Sequence, residues 1–164
     1  MKKNKMLVSA AAALWLPIAY AADPPEVKEG LWSIHTQVID NPGNKRTEST
    51  ETLCRNRAYD KSVEALAKTA AKDCKVSESV QGGKTSSEAH CVMAGTVIDT
   101  KGTGAYVGDT SSHSESHTTY SPAFYGVTES TRIMDQKWVG SCPAGAQPGD
   151  LTNSDGTVIH LGKK

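Results

Sequence analysis

From Gly30 the chain alternates: Trp32, Ile34 and Val38 fall on one side and Ser33, His35 and Gln37 on the other, the period-two pattern of a half-buried strand. Asn41-Pro42-Gly43-Asn44 interrupts it as a turn. Lys45 to Leu53, rich in Ser and Thr, is predicted to return as a polar second strand that ends at Cys54. The period then changes. Between Tyr59 and Lys72, Val63, Leu66, Ala67 and Ala70 recur at helical spacing among good helix formers, so this segment is predicted to be the one substantial helix. Asp60 is its expected N-cap, with Glu64 adding acid to the first turn. Alternation resumes at Val76 and Val80, and Gln81-Gly82-Gly83-Lys84 reads as a two-residue hairpin into a partner strand from Thr85 to Met93.

Beyond Met93 lie Thr96 to Ile98, several glycines, a polar stretch from Thr110 to Tyr120, and a last strand from Val127 to Val139 carrying Val127, Ile133 and Trp138. Glycine and threonine in this part predict edge strands and tight bends. Pro143 to Asp155 reads as loop, and Thr157 to Leu161 as a short edge strand or a tail.

The first 21 residues change the picture of where this fold works. Lys2, Lys3 and Lys5, an apolar run from Met6 to Ile18 and Ala19-Tyr20-Ala21 form the three parts of a secretory signal. The run is shorter than the ~20 residues of a membrane span and contains Pro17, so no span is expected once the signal is removed. Cleavage takes away three lysines and no acid, and the formal net charge of zero becomes −3. That balance argues against a nucleic-acid partner, which calls for a basic patch. The expected organisation is a signal peptide over 1–21, an extended lead-in over 22–29, a single β-rich domain over 30–142, and a loop and tail over 143–164. Its core should be modest, because Phe124 is the one phenylalanine and Trp32 and Trp138 are the tryptophans beyond the signal.

An oxidising compartment turns the four cysteines into disulfide candidates that would compensate for a small core. A two-residue loop at Gly82-Gly83 sets Cys74 opposite Cys91 in a non-hydrogen-bonded pair, with Cα atoms about 4.5 Å apart and within bridging range. Cys54 and Cys142 are left for each other, and a Cys54–Cys74 bridge would overturn this register. The expected fold is mainly β: an antiparallel curved sheet or partly closed barrel with one helix packed against it and two disulfides, the alternative being a β-sandwich.

Gly30-Leu31-Trp32, Cys54 after a Thr-rich strand, Asp73-Cys74-Lys75-Val76, Cys91 across the Gly-Gly turn, and Trp138-Val139-Gly140-Ser141-Cys142 together resemble a bacterial exported family catalogued as domain of unknown function 3617. The resemblance runs from Gly30 to Cys142. Where the family often carries an arginine before the final Gly-x-Cys, this chain has Trp138-Val139. The resemblance implies a periplasmic protein of the Gram-negative envelope and carries no activity with it.

His113, Glu115 and His117 project from one face if their segment is extended, and two imidazoles with a carboxylate suit zinc or copper. A straight strand holds the outer two roughly 13 Å apart, too far for one ion without a bend. Trp32 and Trp138 are candidates to line an apolar pocket, against a shared core contact at the closing seam. Tyr106, Tyr120 and Tyr125 with Phe124 are candidates for an exposed partner patch, with core packing or loop anchoring the favoured reading. His35, His90 and His160 read as surface residues. Asp150 to Gly156 reads as a turn, because Leu151 falls where a calcium loop needs its first ligand. With all cysteines oxidised and no Gly-x-Ser-x-Gly elbow, no catalytic residue and no cofactor is expected. These readings favour a non-enzymatic envelope protein that binds a small ligand or another envelope component. The alternatives are a metal-binding protein or metal-dependent enzyme using His113, Glu115 and His117, and a purely structural or interaction protein without a ligand cavity.

Overall fold

A computed structural model describes residues 25–161, so the signal at 1–21, the first residues of the lead-in and the last three of the tail lie outside the described residues. The alternating segments become strands β1 (Gly30–Asn41), β2 (Lys45–Arg55), β3 (Lys75–Gln81), β4 (Lys84–Met93), β5 (Thr96–Val107), β6 (Ser111–Phe124), β7 (Val127–Gly140), β8 (Asp150–Thr152) and β9 (Val158–His160), with helix α1 (Arg57–Ala70) between β2 and β3. They form one open sheet in the order β3-β4-β5-β6-β7-β1-β2-β8-β9. Every pairing is antiparallel. A meander from β3 to β7 is thus closed against the earlier β1–β2 hairpin. The fold is mainly β with one helix, and the sheet neither closes into a barrel nor splits into a sandwich.

The Gly82-Gly83 turn sets the expected register, Lys75 facing His90, Val76 facing Ala89 and Val80 facing Thr85. Cys74 and Cys91 continue that register and are bridged, with Cα atoms 4.4 Å apart. Cys54 is bridged to Cys142 at 5.5 Å.

Strands β5 and β6 correct the expectation of edge strands and bends: they are 12 and 14 residues long and lie inside the sheet. Gly102 and Gly104 fit there because the hydroxyls of Ser87 and Thr85 on β4 lean over them; a Cβ would lie 2.8 Å and 2.6 Å from those oxygens. The glycines serve as space for neighbouring side chains, and the strand continues through them.

Asn56, and not Asp60, caps α1. Its backbone is extended and its Oδ1 accepts from Tyr59 N at 2.8 Å, while Asp60 sits in the first turn and pairs with Arg55. Replacing Asn56 with Ala is expected to cost about 1 kcal/mol in urea unfolding, and Asp60→Asn, which keeps the cap, less than that. The helix also departs from the expected packing. It buries none of its residues, and Val63 and Leu66 are 44% and 69% exposed. The core is correspondingly small and lies at the start of β1 and the end of β2, where Trp32, Leu53 and Cys54 are buried.

Candidate functional site

Pairing of β1 with β7 sets Trp32 directly opposite Trp138. The indole of Trp32 is fully buried, and its Nε1 donates to the Lys28 carbonyl at 2.8 Å. Trp138 is half-buried and donates from Nε1 to the Glu29 carbonyl at 3.1 Å, with the Lys28 ammonium 3.7 Å from its ring centroid. The lead-in therefore straps both rings down. Gly30 permits the tight passage: its φ is +133°, and a Cβ there would collide with the Gly140 carbonyl and lie 2.7 Å from Trp138 Nε1. The register sets the two tryptophans opposite each other as the sequence suggests, and Trp32, fully buried, has no surface to offer a ligand.

Beside the seam, the lead-in, Arg55 and the start of α1 enclose a cleft of about 560 Å³ that reaches Tyr106. Arg55, which sequence reasoning passed over, organises it. Its Nε donates to Asp60 Oδ1 at 2.9 Å, its Nη1 to Gln136 Oε1 at 2.9 Å, and its guanidinium carbon stands 5.2 Å from the Trp32 ring centroid. Arg57 pairs with Glu26, and its backbone N–H donates to Glu29 Oε1 at 3.0 Å. Next to the cleft, burial raises the Tyr59 hydroxyl's pKa, Arg55 opposes that shift and Asp60 adds to it. The cleft is charged, with Arg55, Arg57 and Lys61 set among Glu26, Glu29, Asp60 and Glu64, and both arginines have acidic partners. An arginine between a buried cysteine and a capping asparagine was the available signal; its partner Gln136 lies on a strand 81 residues away.

His113, Glu115 and His117 do share one face of an extended β6, and that face is exposed. The strand keeps them in line. His113 Nδ1 lies 2.7 Å from Asp135 Oδ1, His117 Nδ1 lies 3.3 Å from Thr131 Oγ1, and Glu115 stands between Thr103 and Ile133. Among the described residues no group of three or more His, Cys, Asp or Glu side chains is placed to hold a metal ion. The other histidines have the same kind of neighbour: His35 with Thr50 at 3.0 Å, His90 with Asp99 at 2.6 Å and His160 with Asp150 at 2.5 Å. These are cross-strand pairs on a solvated surface. Asp155 takes the turn role expected of its segment. Its Oδ1 accepts from Thr157 N at 2.8 Å, and that hydrogen bond lowers its pKa. Both bridges are formed and no described cysteine is free.

Of the two favoured readings of the aromatic residues, core packing is not realised, and the rings of Tyr120, Phe124 and Tyr125 gather instead at a turn. Tyr120 stacks on Phe124 with centroids 5.9 Å apart, and Phe124 meets Tyr125 edge to face at 4.6 Å. This cluster does not enter the core: Phe124 is 37% and Tyr125 92% exposed, at the tip of the β6–β7 hairpin.

No curated protein is significantly similar to the chain. A family match extends over residues 27–142, from the strap across the tryptophans to the second cysteine of the long bridge, and takes in both disulfides and the whole seam. The chain belongs to the family described as protein of unknown function (DUF3617).

Proposed function

We propose that the chain is a non-enzymatic interaction module of the Gram-negative envelope, exported by its N-terminal signal to the periplasm. Two disulfides fit an oxidising, extracellular-type compartment, and no described helix is long and apolar enough to cross a membrane. The observation that carries the reading is the distribution of apolar side chains. Trp32 is wholly buried, whereas Val63 and Leu66 on α1 and Phe124 and Tyr125 on the hairpin tip face outward. Such a surface suits a partner better than it suits an internal cargo.

The cleft at Arg55 keeps a second reading in play, because its volume falls within the range of small-molecule sites. Native mass spectrometry after gentle extraction of the envelope separates the two. An interaction module is expected to retain a macromolecule or lipid and to lose it when Phe124 and Tyr125 are changed. A small adduct of fixed mass that disappears in Tyr106→Ala, with the protein still folded, would favour a carrier.

A further inference from the structure

Two adjacent hairpin tips differ from the rest of the sheet in composition and in backbone. Residues 91–98 and 118–128 contain no Asp, Glu, Lys or Arg, although such residues make up 22% of the chain. The first stretch holds the β4–β5 turn and the second the β6–β7 turn, and pairing of Val97 with Ser121 sets them side by side at one end of the sheet. Val92, Met93 and Tyr125 are 61%, 57% and 92% exposed there. The β6–β7 tip also projects: β1 pairs with β7 only as far as Glu129, so Tyr125 and Gly126 stand beyond the neighbouring strand.

The backbone supplies an independent observation. Ala94-Gly95 and Tyr125-Gly126 are two-residue loops whose φ angles, 49° and 82°, then 48° and 84°, are all left-handed. Such loops favour Asn, Asp or Gly at the first position, and the β3–β4 turn does place Gly82 and Gly83 at φ angles of 59° and 75°. An aromatic residue in that conformation is a local cost to folding, and it holds the ring outward at the furthest point of the hairpin.

Resting on the reading as an interaction module, we infer that these tips, Met93–Gly95 and Phe124–Gly126, insert into the headgroup region of a phospholipid bilayer. A protein partner is ordinarily registered by complementary charge, and these tips have none to offer. Their shape is a projection without a groove, which suits a deformable surface. Phe124 and Met93 provide apolar bulk, while the Tyr125 hydroxyl can remain at the level of polar headgroups.

The test uses the exported chain with both disulfides intact and sedimentation with phosphatidylcholine vesicles, then with vesicles of equal parts phosphatidylethanolamine and phosphatidylglycerol. Binding to both, with little dependence on salt, is the expected result, because the contact is uncharged. Tyr125→Asn is expected to weaken it roughly tenfold or more. The same change leaves thermal stability unchanged or raised, since Asn suits the left-handed position. Val107→Ser, at a residue 71% exposed on a different hairpin, leaves binding unaltered. Undiminished vesicle binding by Tyr125→Asn overturns the assignment of the tips. If no vesicle binding occurs but a photo-crosslinking residue at position 125 captures a protein in the native envelope, the lipid inference fails and the interaction module stands. With neither vesicle binding nor capture, both fail.

Discussion

Replacing Cys54 and Cys142 together with alanine is expected to lower the unfolding free energy by about 4 to 5 kcal/mol, against about 3 kcal/mol for the Cys74 and Cys91 pair. The difference follows from the loops each bridge closes in the unfolded chain, 88 residues apart in one case and 17 in the other. Native contacts point the same way. Cys54 is 2% exposed within the small core, and its carbonyl accepts from Gly149 N at 2.8 Å. Losing its partner frees the segment that returns from β7 to lay β8 against β2. The shorter bridge staples the β3–β4 hairpin at a sheet edge, where a two-residue turn already imposes the register. Urea unfolding of the two double variants, followed by far-UV circular dichroism, checks the ranking. Equal losses, or a larger loss for Cys74 and Cys91, would refute the claim that the long bridge holds the two ends of the domain together.

The features legible in the sequence were those set by local geometry. A Gly-Gly turn fixes a register by counting, so the Cys74–Cys91 bridge could be predicted from numbering. The change from period two to helical spacing located α1, and Asn41 to Asn44 announced the first hairpin. Harder to read was anything decided by what lies across the sheet. β6 is 14 residues of mostly Ser, Thr and His, and such a strand shows no apolar alternation when one face is solvated and the other meets small side chains. The cap of α1 lies earlier than the pattern suggests, because Arg57 to Tyr59 precede the apolar periodicity that marks the helix. The apolar stripe of α1 was visible, but periodicity does not say what covers it, and in the fold its residues stay exposed. At the candidate metal segment the alternation correctly placed three residues on one face. It could not show that Asp135 lies opposite His113 on one side and His35 on the other, because that depends on the order β6-β7-β1.

Trp32→Ala is expected to cost about 3 to 5 kcal/mol, more than any other single substitution in the chain. Among the described residues Trp32 is the one large side chain wholly removed from solvent, and its removal empties the centre of a core that otherwise consists, among those residues, of Leu53 and Cys54. The change also leaves the Lys28 carbonyl without its donor, so the strap over the seam loses one of its two indole anchors. Trp32→Phe separates these effects: it keeps much of the buried area and deletes the hydrogen bond, and should cost about 1 to 3 kcal/mol. Trp138→Ala should fall below Trp32→Ala, because that ring is partly exposed and contributes chiefly the hydrogen bond to Glu29 and the contact with the Lys28 ammonium. The two rings share the strap, so the double variant should cost less than the sum of the singles. Urea midpoints for the four variants test this order. A Trp138→Ala loss equal to or above that of Trp32→Ala would mean that the strap, and not the buried indole, holds the seam closed.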